Sequence, residues 1–257
     1  MPIYYNYPGF VQAHDEATAG YTLALNAFAD LNVSEFVSVA FGGANQLPDR
    51  DVATLALNDT QAVDWRTRGK VNAVHDAMAS GCSIPDVMAD TVASAEAIKC
   101  AGTSLQELST TQLIECAAGS MGCSGFTSTF EEYVVKSGIL TSEDYAKLPG
   151  TPGTCRLNGT STSSDLKCRV TKWVAVTPND SEQLQAAVNE QPVVVLVNAA
   201  SSAFQFYRSG VLAGDCPSTP LDHAMVRRPP PCRLVHVICC RRWSSATAVC
   251  KVKTCGS

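Results

Sequence analysis

Cys82 and Ser83 stand side by side at the head of the stretch SGCSIPDVMADTVASAEAIK, residues 80–99. A cysteine there can do nucleophilic chemistry. The attacking species is the thiolate, and the partial positive charge at a helix N-terminus, joined by a nearby imidazolium, lowers the thiol pKa. A serine hydroxyl in the same place needs a stronger base and suits the cap of the helix that follows. The chain has twelve cysteines, so Cys82 can equally be half of a disulfide. Nucleophile and staple both remain open for Cys82.

The element that would carry this pair reads clearly. Val87, Ala89, Val92, Ala93, Ala95 and Ile98 recur at mixed helical spacing over residues 86–99, with no glycine or proline between them. That pattern predicts a long, largely buried helix. Ser83 followed three residues later by Asp86 resembles a capping box, and Pro85 is tolerated in a first turn. STTQLIEC (109–116) repeats the cap signal with Ser109 and Gln112, and STFEEYVVKSG (128–138) predicts a third helix closed by Gly138. Beyond a Gly/Ser/Thr/Pro loop (148–165), the β-branched runs 166–176 and 191–200 predict strands flanking a helix over 181–190. Helices first and strands later make a two-lobed α+β protein. Upstream, YTLALNAFADLNVSEF (21–36) predicts a short strand and a turn into helix, with Asn32 and Ser34 as local caps. Residues 45–61 read as an extended linker, and AVDWRTRGKVNAVHD (62–76) opens the folded core.

The bulk numbers bound the class. At 257 residues, 46% hydrophobic and 17% charged, the chain is globular and long enough for one large domain or two lobes. A formal charge of -5 gives no support for nucleic-acid binding. Twelve cysteines favour an oxidising compartment, and the sequons at Asn32, Asn58, Asn158 and Asn179 agree. Met1 is followed by PIYYNYPGF, which has neither the basic start nor the apolar core of a signal peptide. No apolar run approaches the ~18 residues of a membrane span. Residues 226–257 break the composition: they hold seven Lys/Arg, five cysteines and no acidic residue.

Several segments together carry a resemblance. LNAFADLNVSEF, with Asn26, Phe28 and Asp30 at alternate positions, looks like an inhibitory propeptide motif, and VDWR (63–66) like the start of a mature enzyme. LSTTQLIEC, then GCSG (122–125), then QPVVVLVNAASSAFQFYRSGVLAGDC (191–216) and LDHAMV (221–226) follow in order. From about residue 13 to residue 226 the chain resembles the papain-like cysteine peptidases in precursor form. The resemblance implies a helical left lobe, a β-barrel right lobe and a cleft between them. It also implies a cysteine nucleophile at the head of the long helix, a histidine across the cleft, an asparagine orienting it and a glutamine in the oxyanion hole.

Set against that pattern, the chain matches one position and departs at three. His223 in LDHAMV falls on the histidine. Where the family has V-K-[ND]-Q-G this chain reads VHDAM, which puts Ala77 at the glutamine. Losing one oxyanion donor typically costs ~10²–10³ in rate. The nucleophile position falls on Ser83 counted forward from Val74 and on Asp86 counted back from Glu96, which implies an insertion; Cys82 is adjacent to the first. The resemblance also offers Cys82 a structural role, paired with Cys123, as it pairs Cys116 with Cys155. Where the family has NSWG, this chain reads VICCRRWSS (237–245), with no asparagine. The change after Val226 is what a shifted reading frame would produce.

These readings set the expectations. The fold is α+β and papain-like, two-lobed with an incomplete right-hand barrel, preceded by a truncated inhibitory propeptide. Residues 1–58 are propeptide and linker; residues 59–257 are the peptidase domain, its family match ending near 226 and its tail, 227–257, aberrant. The function is that of a papain-like cysteine peptidase homologue, catalytically impaired or inactive. A non-catalytic peptide-binding homologue and a frame-disrupted product that does not fold fully are the alternatives. His223 is the catalytic histidine by position, Cys82 the nucleophile if there is one, and Ser83 the lesser alternative. Gly125, Phe126, Leu196 and Ala224 are placed at the substrate by resemblance. Cys82, Cys123, Cys116, Cys155 and Cys216 are the disulfide candidates, Cys216 lacking its usual partner unless Cys250 or Cys255 substitutes. No cofactor or metal is expected, since Cys232, His236, Cys239 and Cys240 fit no standard zinc spacing. The expected partners are a peptide or protein substrate in the cleft and the chain's own propeptide, with no nucleic acid and no membrane. The resemblance and the cysteine count suggest a lysosomal, vacuolar or secreted setting.

Overall fold

A computed structural model describes residues 6–41, 52–53, 63–74, 83–117, 127–157, 168–177, 180–212, 223–227, 237–238 and 248–254. The long helix spans Ser83–Lys99, and no residue from Ile84 to Cys100 is exposed. A helix apolar on nearly every side must be covered on every side. Helices Thr110–Cys116 and Thr127–Ser137 cover part of it, contributing Leu113, Phe130 and Val134 to the core around Met88 and Val92. The sheet covers the rest.

That sheet has five strands. In chain order the strands are β1 (Tyr21–Leu23), β2 (Val52–Ala53), β3 (Cys168–Val176), β4 (Val193–Val197), β5 (Tyr207–Leu212), β6 (His223–Arg227), β7 (Val237–Ile238) and β8 (Ala248–Thr254). The large sheet runs β2-β3-β8-β4-β6, and a smaller one runs β1-β5-β7. β4 shows why a continuous apolar run suits this place. Successive strand side chains point to opposite faces, so Val194 and Leu196 join the core of the long helix. Val193, Val195 and Val197 pack instead with Leu184, Ala187 and Val188 of helix Ser181–Glu190. The sheet is thus buried on both sides at β4, as such a run requires.

Local signals explain most element ends. Asp180 caps helix Ser181–Glu190 by accepting from the amides of Glu182 and Gln183. Ser109 caps helix Thr110–Cys116 in the same way, accepting from the Gln112 amide at 3.0 Å. The expected reciprocal arm of that box does not form. The Gln112 side chain turns inward and bonds the Tyr133 hydroxyl, the Gly138 carbonyl and the Leu140 amide. A fully satisfied buried amide outweighs one exposed cap bond. Ser83 is the first residue of the long helix rather than the residue before it, a shift of one position within the ordinary fraying of helix ends.

Within the tail, residues 248–254 form β8, antiparallel between β3 and β4, with Trp173 opposite Cys250 and Val194 opposite Ala248. Among the described residues no helix is long and apolar enough to cross a membrane.

The N-terminal segment lies on the smaller sheet. Asn32 and Glu35 form a reciprocal capping pair at the start of helix Val33–Phe41, with bonds of 2.8 and 2.9 Å. β1 runs antiparallel to β5, and Tyr7, Tyr21 and Leu23 pack with Phe206 and Leu212. Gln205 clamps the segment: its side-chain amide donates to the carbonyls of Phe28 and Leu31, and its own carbonyl accepts from Asn26 Nδ2.

Opposite Tyr21 sits Gly210, at φ 98°, where a Cβ would lie 2.5 Å from the Gly20 carbonyl oxygen. Only glycine allows both that backbone angle and that approach. Gly210→Ala is therefore expected to loosen the β1–β5 pair by about 1–3 kcal/mol. Hydrogen exchange at Tyr21–Leu23 measures it, and the β4–β6 amides serve as an internal reference that should not change. Equal protection of Tyr21–Leu23 in the variant would show that the approach is not limiting.

Candidate active site

Three elements meet where the chemistry was expected. β6 begins at His223 and pairs antiparallel with β4, Val197 opposite His223 and Leu196 opposite Ala224. The long helix packs against β6. Leu196 and Ala224, 3% and 1% exposed, belong to the same core cluster as Ile84 and Met88 of the helix's opening turns. His223 itself is half-buried, and the Phe204 ring meets its imidazole edge-on with centroids 5.7 Å apart. The packing therefore brings a histidine at a strand start toward the N-terminal half of the buried helix. That is the layout thiolate chemistry uses, with helix dipole on one side and imidazole on the other.

The other positions divide sharply. Asp86 lies in the helix's first turn, where the dipole favours a negative charge. A carboxylate there supplies no nucleophile for acyl transfer in this geometry. Ala77, Cys82, Cys123, Gly125, Phe126 and Cys216 lie outside the described residues, as does the side chain of Ser83. Among the described residues no three His, Cys, Asp or Glu side chains gather to hold a metal.

Among the described residues, two disulfides brace the fold. Cys116 and Cys155 are joined with Cα atoms 4.6 Å apart. Beside them, the Tyr145 hydroxyl donates to Glu115 at 2.6 Å and accepts from the Arg156 amide. Burial pushes Glu115 upward, yet the Tyr145 hydroxyl, the Gly153 amide and the Arg156 guanidinium together hold it below the usual carboxylate range. Burial and then the bond to Glu115 push the Tyr145 hydroxyl up to about 12. Cys100 and Cys168 are also joined, with Cα atoms 6.1 Å apart, tying the end of the long helix to the start of β3. Sequence reading leaves both of those cysteines unassigned. It also passes over Gly210, although a lone glycine inside a strand-like run is a signal of close backbone approach.

Comparison with known proteins decides the family. Residues 60–227 match the model of the papain family cysteine proteases. The chain belongs to the papain family of cysteine proteases. It is 32% identical over 226 residues to chymopapain from Carica papaya. That alignment covers 84% of this chain and 62% of chymopapain, so the chain spans less than two thirds of that relative. Among solved structures, recombinant stem bromelain precursor aligns with a TM-score of 0.67 at 28% identity, covering 86% of this chain and 71% of that one. The bromelain protease from Ananas comosus in complex with the E64 inhibitor aligns with a TM-score of 0.57 at 26% identity, covering 75% and 99%.

The papain-family helix carries one electrostatic burden of its own here. Glu96, in its last turns, is mostly buried, and burial alone raises its pKa from 4.5 to about 7. In the unfolded chain the carboxyl ionises first, so between pH 4.5 and about 7 the unfolded state holds fewer protons and stability falls as pH rises. The shift corresponds to a loss on the order of 3 kcal/mol, at ~1.4 kcal/mol per pKa unit. Glu96→Gln is expected to remove this slope and to leave the protein more stable than the parent at pH 8. Urea unfolding at pH 4.5, 6 and 8 checks it; parallel curves for the two proteins would refute it.

Proposed function

We propose that this chain is a papain-like cysteine peptidase homologue, of the class that hydrolyses peptide bonds, whose catalysis is impaired or lost. The observation that carries the reading is the pairing of His223 with Val197 at the head of β6, a histidine kept in place while its usual helpers are replaced. Ala77 stands at the glutamine position, VICCRRWSS at the asparagine region, and no cysteine is in register with the helix. An oxyanion donor alone is worth ~10²–10³ in rate. An imidazole without its orienting amide loses further, though such losses do not multiply.

The cleft would hold an extended peptide as an added strand along GCSGF. The N-terminal segment, seated through β1 and Gln205, would act as the chain's own inhibitor. Two disulfides and the family's habits support an oxidising setting, lysosomal, vacuolar or secreted. A non-catalytic peptide-binding homologue is the second reading, favoured by the seating of β8 within the sheet, which supports a chain that folds.

E64 is the inhibitor held by the bromelain protease named above, which makes an epoxysuccinyl probe the direct test. Acid-treated full chain is labelled and the adduct mapped by mass spectrometry. The expected result is no stoichiometric adduct, with Cys82 in a disulfide to Cys123. An adduct on Cys82 that disappears in His223→Ala would overturn the impairment and make the chain a working peptidase.

A further inference from the structure

The Asn-x-Ser/Thr sequons play no part in the fold or in the proposed chemistry. Asn58, Asn158 and Asn179 lie outside the described residues, whereas Asn32-Val33-Ser34 is described in full. It stands where the turn after β1 enters helix Val33–Phe41. Such a triplet supports modification when its middle residue is not proline and it lies at a reachable surface. Valine satisfies the first condition. The structure answers the second.

The capping pair fixes which way the Asn32 amide faces. The Glu35 backbone N–H is a donor, so the atom it meets at 2.9 Å must be the side-chain oxygen. The Asn32 backbone N–H donates in turn to the Glu35 carboxylate at 2.8 Å. With Oδ1 turned into the first turn of the helix, Nδ2 on the other side of the planar amide points away from it. A sugar on Nδ2 leaves Oδ1 an acceptor and leaves one N–H on the nitrogen. The cap therefore survives modification.

Exposure divides the same helix. Phe36 is buried and packs against Phe28, with ring centroids 5.1 Å apart. Asp30, Ser34, Glu35, Ser38 and Val39 are exposed, and Asn32 is half-buried. The segment is gripped elsewhere: Gln205 meets the Phe28 and Leu31 carbonyls, and Asn26 Nδ2 donates to the Gln205 carbonyl. None of these bonds uses the Asn32 side chain.

We infer that Asn32 is an N-glycosylation site, so that the N-terminal segment carries an oligosaccharide while it is seated on the smaller sheet. The donor is an oligosaccharide joined through a diphosphate to a lipid. Nδ2 bonds the anomeric carbon of the first sugar and gives up one proton, while that carbon's bond to the diphosphate oxygen breaks and the lipid diphosphate leaves. The inference rests on the oxidising setting proposed above and not on the state of the catalytic positions.

The test directs the full chain into the secretory lumen of a eukaryotic cell with a cleavable leader. The purified protein is treated with peptide N-glycosidase in heavy-oxygen water and mapped by mass spectrometry. A heavy-oxygen aspartate is expected at position 32, lost in Ser34→Ala and kept in Ser34→Thr. Neither capping bond involves the Ser34 side chain, so Ser34→Ala tests the sequon without removing the cap. Asn6, Asn26 and Asn45, which have no hydroxyl residue two positions on, control for spontaneous deamidation. An unlabelled position 32 in a chain whose Cys116–Cys155 disulfide has formed would overturn the inference. A label that persists in Ser34→Ala would overturn it too. A chain recovered with that cysteine pair reduced would count against the oxidising setting itself, and the inference falls with it.

Discussion

The structure depends on one constraint: a seventeen-residue helix with no exposed residue from Ile84 through Lys99. Such a helix cannot sit at a surface. It needs helices on one side and a sheet on the other, so its burial fixes how the two lobes meet. Met88 and Ala95 are wholly buried, and the core that surrounds them takes Phe130 and Val134 from one side and Val170, Val194 and Leu196 from the other. The candidate active site is a consequence of that packing. The helix's N-terminus and the head of β6 approach each other because β6 lies in the same sheet face that the helix must cover.

How legible this was in the sequence varies with the kind of signal. The long helix, the helix over Ser181–Glu190 and strands β3 and β4 were legible because apolar period and β-branched content agree with burial there. Gly138, at φ 72°, ended its helix as glycine usually does. Gln112 was misread as a cap partner because a local motif cannot see Tyr133 and Leu140, which come into reach only after the chain folds back. β8 was not legible at all. Its pairings are with strands more than fifty residues upstream, and the compositional break after Val226 masks a strand whose place is defined by β3 and β4 rather than by its own pattern. The Cys116–Cys155 pair was legible through the resemblance, whereas Cys100 and Cys168 offered no pattern that would join them.

The N-terminal segment is held differently from the core. Its contacts combine a short edge pairing, an aromatic cluster at Tyr7 and Phe206, and the Gln205 clamp. Edge pairing of three residues is weak in isolation, since a short two-stranded unit is marginal in water. The buried clamp supplies the specificity, because Gln205 meets two carbonyls that lie seven and ten residues beyond the strand's start. The segment is thus held by backbone complementarity at Gly210 and one buried amide, and its strand pairing belongs to the smaller sheet rather than the large one.

The separation between scaffold and chemistry lets a papain-family chain vary along its cleft and keep its fold. The stabilising groups are apolar and interior: Met88, Leu113, Phe130, Val194 and Phe206 are each 2% exposed or less. The reactive groups of the family are small and polar, and lie along the walls of a cleft. A polar group lost from a cleft wall removes no apolar volume, and a longer loop carries an entropic cost that grows only slowly with length. Large destabilisation requires a cavity, a buried unpaired charge or a broken network. The buried carboxyl that does carry such a burden, Glu96, is located at the opposite end of the helix, where it affects stability rather than the cleft.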